Sequence, residues 1–316
     1  MIKNRRSFII GLKSTLLLPK ERQFLKKYKP WGVILFSRNI KTIGQTKKFT
    51  NEIRKIFHDS KYPILIDQEG GRVSRISSIL ESSNFSADSF GKLYKKSIKE
   101  FKIYQQIFIK QNSNLLNKLG ININTVPVLD IKYKKSSHII GDRAFSSDPE
   151  IISNIGNYCI KVYHKNNIGT IIKHIPGHGL AKTDSHKFTP IVKKGIKYLN
   201  KMDFLTFKNK KSFFAMTAHI IYQDIDKVFT ATHSKKMIKL IRTKINFKNL
   251  LISDDISMKA LKFSVKKNTV MAFKAGCNLV LHCNAKYGEM ITVAKNSPKV
   301  NVFISKKTSQ FYKILS

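Results

Sequence analysis

The chain breaks into short apolar, β-branched runs separated by longer stretches with helical spacing. Eight runs stand out, at 8–12, 32–36, 63–67, 121–129, 168–172, 213–218, 250–253 and 277–281. The intervals at 20–28, 43–58, 93–119, 149–165, 233–244 and 259–275 place their apolar residues at amphipathic helix spacing. Strands alternating with helices along a chain of 316 residues predict an α/β protein folded as a single (β/α)8 TIM barrel. The alternative is a doubly wound sheet. No Pro/Ser linker, repeat or low-complexity segment interrupts the pattern, so residues 1–316 read as one domain.

The polar residues are informative because of where they fall. Phe36 runs into Ser37-Arg38-Asn39, Ile66 into Asp67-Gln68-Glu69-Gly70-Gly71-Arg72, and Leu129 into Asp130. Ile172 meets Lys173-His174, Ala218 meets His219, Ser253 meets Asp254-Asp255, and Leu281 meets His282-Cys283-Asn284. A parallel barrel puts all its strand C-termini on one rim, so these groups are expected to converge there. The densest stretch is Lys173-His174-Ile175-Pro176-Gly177-His178-Gly179 followed by Asp184-Ser185-His186, in a chain with only nine His. His174 and His178 have the spacing of helical metal ligands, but Pro176 and Gly177 between them would break such a helix. The stretch therefore reads as an active-site loop with no metal and no cofactor.

Composition narrows the class further. Hydrophobic residues make up 42% of the chain, enough for a full core. No stretch reaches the length of an apolar membrane span. The basic start Met1-Ile2-Lys3-Asn4-Arg5-Arg6 precedes a partly apolar segment, but Lys13 interrupts it and no small-residue cleavage site follows, so a cytoplasmic address is expected. Cys159, Cys277 and Cys283 are an odd number at no metal-like spacing, as expected of reduced thiols. The formal charge of +40 would ordinarily suggest a polyanion as partner. Its excess is mostly Lys, dispersed and accompanied by abundant Ile and Asn, which reads as drift in surface composition. No specific nucleic acid or membrane partner is expected. A basic polyanion-binding protein on a decayed barrel is the competing reading.

The motifs, taken in order, resemble family 3 glycoside hydrolases of the bacterial β-N-acetylhexosaminidase type. The resemblance is carried by Gly32-Val33-Ile34-Leu35-Phe36-Ser37-Arg38-Asn39, Asp67-Gln68-Glu69-Gly70-Gly71-Arg72-Val73, Pro127-Val128-Leu129-Asp130 and Gly141-Asp142-Arg143-Ala144-Phe145. The His-rich stretch, Met216-Thr217-Ala218-His219, Ser253-Asp254-Asp255-Ile256-Ser257-Met258 and Ala275-Gly276-Cys277-Asn278 complete it. It spans residues 7 to 290, and the last two dozen residues match nothing in the pattern.

The resemblance implies a retaining hydrolase of terminal β-linked N-acetylglucosamine, acting on small muropeptide substrates in peptidoglycan recycling, and a monomer is expected. It makes Asp254 the nucleophile, and strand alternation turns Asp255 away from the sugar. It makes His186 the acid/base, paired with Asp184 two residues earlier, which in an extended loop projects to the same side. Asp67, Arg75, Arg143, Lys173 and His174 become the sugar-binding set. Glu69 and Arg72 read equally well as a buried pair bracing the Gly70-Gly71 turn. Arg38, Asn39 and His219 read as groups closing the rim, and His178 as serving loop geometry. Asn278 and Ala285 stand where the family usually has Asp and Gly, and 77–89 lacks its usual Pro and Trp. These departures touch helix packing and the rim rather than Asp184, His186 or Asp254. A related β-glycosidase or phosphorylase with another substrate remains the alternative within the family.

Overall fold

The computed structural model describes residues 2–134, 139–183, 185 and 188–315. Among the described residues ten strands form: β1 (Arg6–Gly11), β2 (Pro30–Leu35), β3 (Ile64–Ile66), β4 (Ile123–Asn124), β5 (Gly169–Ile175), β6 (Ile191–Val192), β7 (Phe214–Thr217), β8 (Ile221–Tyr222), β9 (Leu250–Asp255) and β10 (Leu279–His282). Eight of them close into a parallel barrel in the order β1-β10-β9-β7-β5-β4-β3-β2, while β6 and β8 make a separate two-stranded sheet. The fold is thus the predicted (β/α)8 barrel, and the doubly wound alternative is excluded.

The period-two alternation of the strands sorts their side chains into two layers. Ile9, Ile34, Leu65, Ile171, Met216, Ile252 and Leu281 belong to the barrel interior. Their neighbours Phe8, Val33, Ile64, Ile172, Ala215, Leu251 and Val280 pack outward among the helices. Side-chain caps set several helix starts: Thr42 before Ile43–Phe57, Asp148 before Pro149–Lys165, Ser234 before Lys235–Thr243 and Ser264 before Val265–Ala275. Among the described residues, no helix is long and apolar enough to cross a membrane.

Three local expectations change. The run at 121–129 keeps only Ile123–Asn124 as regular strand, because Pro127 has no N–H for the ladder; the chain rejoins β5 through Leu129 N, which donates to Lys173 O at 2.8 Å. The helix expected over 93–119 divides into Ala87–Lys96 and Ile98–Lys118, with extended Ser97 between them capping the second through Glu100 N. The helix expected from 259 starts at Val265, leaving 256–263 as a loop after β9.

The unread C-terminus contributes to the barrel core. Helix Val302–Tyr312 sets Ile304 and Phe311 in the same apolar cluster as the interior strand residues. Phe311 meets Phe214 edge-on at 5.3 Å, and Trp31 Nε1 donates to Thr308 Oγ1 at 2.9 Å. Gly169, opening β5, has to be glycine for this: a Cβ there would lie 2.6 Å from the Phe311 ring.

The departures from the family pattern are accommodated locally. Asn278 Oδ1 accepts from Leu251 N and Arg242 Nη2, both at 2.8 Å, as a carboxylate would. In the absence of Trp, Phe85, Phe90 and Phe108 pack together, with Phe85 and Phe108 centroids 5.5 Å apart. Ala285 holds the left-handed conformation (φ 58°) that glycine adopts more readily.

Candidate active site

Four of the seven polar strand ends, at Asp67, Lys173-His174, Asp254 and Cys283, meet at one cavity of about 330 Å3, lined by Asp67, Glu69, Arg72, Val73, Arg75, Ile139, Arg143, Lys173, His174, His178, Ser185, Met216, Asp254, Leu281 and Cys283. Lys173 and His174 are adjacent yet both line it. The pairing of β5 with β7 shifts register between Lys173 and Ile175, the kind of irregularity that re-aims a side chain at a barrel rim.

One wall is a buried ion cluster. Glu69 accepts from Arg143 Nε and Nη2, both at 2.8 Å, and lies 2.6 Å from Lys173 Nζ. Lys173 also donates to Thr125 Oγ1 at 2.7 Å and to Asp67 Oδ1 at 3.2 Å. Asp67 accepts a close hydrogen bond from Thr125 and faces Arg75 Nη2 at 3.7 Å. Burial alone would lift both carboxyls. For Asp67, Lys173 and Arg75 reverse that and hold it below the usual carboxylate range. For Glu69, Arg143 and Lys173 hold it far below. The expected Glu69–Arg72 pair does not form. Arg72 instead donates to Asp142 Oδ1 at 2.7 Å and to Ile139 O at 2.6 Å, half-exposed, because Arg143 takes the buried carboxylate bidentately.

The opposite wall carries the carboxylate of interest. Asp254 lines the cavity near the end of β9, with Oδ1 accepting from Asp255 N at 2.7 Å. Burial raises its carboxyl, but the facing imidazoles of His219 and His174 and the Asp255 N–H outweigh that, leaving it below the usual range. Asp255 turns the other way: Oδ1 accepts from Ser257 N at 3.0 Å and Cys283 N at 3.3 Å. His219 is fully buried, its ring bonded to Thr232 Oγ1 at 2.7 Å and Asp255 O at 3.0 Å, so it braces the rim. Arg38 and Asn39 also brace it, donating to Leu12 O at 2.8 and 3.0 Å.

His174 Nδ1 lies 2.6 Å from Asp130 Oδ2, and His178 N donates to Asp130 Oδ1 at 2.6 Å. The His178 ring meets Ser185 Oγ at 3.1 Å; burial, with a smaller push from His174, lowers it to about 4. Beneath this loop Gly177 (φ 137°) lies against Asp203, where a Cβ would come within 2.7 Å. Asp184 and His186 lie outside the described residues, while Ser185 between them borders the cavity. Of the sequence-predicted site residues, the structure therefore gathers Asp67, Arg75, Arg143, Lys173, His174 and Asp254 around one space. The reading from sequence passed over Thr125 and left Asp130 without a role, although Asp130 ends an apolar run just as Asp67 and Asp254 do. Among the described residues no cluster of three His, Cys, Asp or Glu has the geometry of a metal site.

A parallel barrel whose rim sets an ionised carboxylate across one cavity from cations and further acids has the groups that glycosidase chemistry uses. The description "Glycosyl hydrolase family 3 N terminal domain" matches residues 15–306, and the chain belongs to that family. A β-hexosaminidase of Hydrogenovibrio crunogenus is 33% identical over 285 residues, covering 87% of this chain and 78% of the relative. The crystal structure of native NagZ from Neisseria gonorrhoeae superimposes with a TM-score of 0.86 at 25% identity, covering 98% of this chain and 90% of that one. The same protein in complex with N-trifluoroacetyl-D-glucosamine gives a TM-score of 0.85 at 25% identity over the same shares.

Proposed function

We propose that this chain is a retaining exo-β-N-acetylglucosaminidase that removes terminal N-acetylglucosamine from β-linked substrates. The observation that carries the reading is the Asp254 carboxylate, kept ionised on the wall of a cavity whose volume lies at the small end for ligand sites, suited to one sugar residue. Asp254 attacks the anomeric carbon and forms a glycosyl-enzyme. His186, oriented by Asp184, protonates the departing oxygen and then activates water for the second step. Asp67, Lys173, Arg75, Arg143 and His174 hold the hydroxyls and the acetamido group. Arg143 gives Nε and Nη2 to Glu69 and Nη1 to Ile139 O at 3.2 Å, which leaves the second hydrogens of Nη1 and Nη2 for substrate.

The similarity to a protein crystallised with an N-acylated glucosamine supports this sugar over plain glucose. Muropeptides, a cytoplasmic setting, a monomeric single catalytic domain and the absence of a nucleic-acid partner belong to the same proposal. They follow from the family resemblance and from the dispersal of the positive charge.

Assay of nitrophenyl β-N-acetylglucosaminide beside the β-glucoside tests the specificity. Leaving buried donors unpaired costs about 1–3 kcal/mol each, so the glucoside is expected to be roughly tenfold to a hundredfold poorer per lost contact. Asp254→Asn is expected to abolish turnover whatever the leaving group. His186→Ala should suffer less in glycosylation by a nitrophenyl glycoside than by a sugar glycoside, and should show a burst of nitrophenol. Equal turnover of the two sugars refutes the substrate assignment. An active Asp254→Asn refutes the nucleophile.

A further inference from the structure

Asp130 is fully buried and hangs from the segment that rejoins β5 after the break in β4. Its oxygens accept from two backbone N–H groups of the His loop, His178 N at 2.6 Å and His174 N at 3.2 Å. They also lie 2.6 Å from His174 Nδ1. Burial favours a protonated acid here, but His174 and the N–H of His178 outweigh it and keep Asp130 ionised. An ionised carboxylate only accepts, so the proton of the 2.6 Å contact belongs to Nδ1. In the neutral imidazole Nε2 is then a lone pair, and among the described residues nothing bonds to it. His178, its ring centroid 5.4 Å away, is itself held neutral near pH 7 by burial and so adds no competing charge.

Among the other polar groups lining the cavity, Lys173, Arg75 and Arg143 only donate and Asp67, Glu69 and Asp254 are charged acceptors, while the neutral Ser185 and His178 are bonded to each other. A ring-nitrogen acceptor beside them has a distinct use, because a sugar hydroxyl can accept from a cation while donating to Nε2.

We propose that Asp130 is a positioning residue: by taking the Nδ1 proton it selects the tautomer and ring orientation of His174, making Nε2 the acceptor for one substrate hydroxyl. This rests on the reading of the cavity as the N-acetylglucosamine site. The role differs from bracing the loop, which Asp130 also does through the two backbone N–H groups. A brace would affect every substrate alike, whereas tautomer selection affects only the contact made by one hydroxyl.

The test measures kcat and KM of the full chain, Asp130→Asn and His174→Ala on nitrophenyl β-N-acetylglucosaminide and its 3-, 4- and 6-deoxy analogues. It is paired with imidazole 15N shifts of His174. Asn can present its amide N–H2 to Nδ1 and so favours the opposite tautomer. Asp130→Asn is expected to lose about tenfold to a hundredfold in kcat/KM on the parent glycoside, but less than about threefold on the one analogue lacking the partner hydroxyl. On top of His174→Ala, Asp130→Asn should add less than about threefold, and the wild-type 15N shifts should show Nδ1–H. The same loss on every analogue, or an undiminished loss in the His174→Ala background, overturns the proposal. If Asp130→Asn does not fold, the wild-type shifts decide it, Nε2–H overturning it. Failure of the wild type to turn over the parent glycoside overturns the site reading itself, and the proposal with it.

Discussion

Glu69→Gln offers the sharpest test of what holds the cavity wall. The carboxylate is 7% exposed and engages Arg143 twice at 2.8 Å and Lys173 once at 2.6 Å. The amide keeps the shape but removes the charge, leaving two buried cations with Asp67, 3.2 Å from Lys173, as the one carboxylate still in ion-pair contact with either among the described residues. Breaking a buried ion pair from one side costs about 3–5 kcal/mol, because the partner charge stays buried. Unfolding entropy of about 2 cal/mol/K per residue, scaled to 316 residues, gives roughly 1.5 °C per kcal/mol. A fall in Tm of about 5–8 °C at pH 7 is therefore expected. The charge argument makes a second demand. Arg143→Met in the Glu69→Gln background should cost much less than the same change in the wild type, since it removes an uncompensated cation rather than a paired one. Thermal unfolding followed by far-UV circular dichroism on the four proteins of this cycle measures both quantities. A Glu69→Gln protein within about 0.5 kcal/mol of wild type, or strict additivity across the cycle, would refute the reasoning.

How much of this was legible in the sequence depends on what kind of contact each residue makes. The strands could be read because barrel residues alternate between two apolar layers, and the site because a parallel barrel delivers every strand end to one rim. Asp254 and Lys173 were legible for that reason. The Glu69 partner was not. Arg72 is nearest in sequence, but the bidentate partner is Arg143, brought in by the Gly141–Arg143 turn, and nothing local distinguishes the two arginines. Asp130 was visible as a strand-end acid, yet its task depends on Oδ2 meeting Nδ1 of a residue on the neighbouring strand, a tertiary fact. The break at Ser97 was hidden because both flanking halves keep helical spacing, so the pattern shows no gap. The C-terminal helix carries no motif because its role is shape. Phe311 needs only to be large and apolar opposite a residue without a side chain, Gly169, and that complementarity leaves no local signature.

Three further outcomes follow from buried groups. Phe311→Ala should destabilise by about 3–5 kcal/mol through the cavity it opens beneath Phe214, measurable by urea unfolding. His178 and His233 are both lowered to about 4, chiefly by burial. Each contributes stability that is present above the unfolded value near 6.5 and lost as pH falls through about 4, so an acid limb of stability over that window is expected. His233→Asn should flatten it, and an unchanged limb would contradict the assignment. Asp203 has the opposite sign. It is 1% exposed, with Oδ1 unpartnered among the described residues and Oδ2 accepting from Tyr133 at 2.9 Å. Burial, aided by the charge of Asp130 and opposed by the Tyr133 hydrogen bond, raises its carboxyl to about 7. A carboxyl raised above its unfolded value near 3.9 contributes stability fully present below that value and lost as pH rises through about 7. Asn at this position keeps an acceptor for Tyr133 and has no charge to bury, so Asp203→Asn should gain on the wild type as pH rises from 5 to 8. The gain is expected to be roughly 2–3 kcal/mol, since only the two pH units from 5 to the folded value near 7 contribute, at about 1.4 kcal/mol each. Urea unfolding of both proteins across that range decides it. A difference that stays constant with pH would mean that Asp203 ionises as freely in the folded chain as in the unfolded one, and that its buried place beneath Gly177 imposes no penalty on its charge.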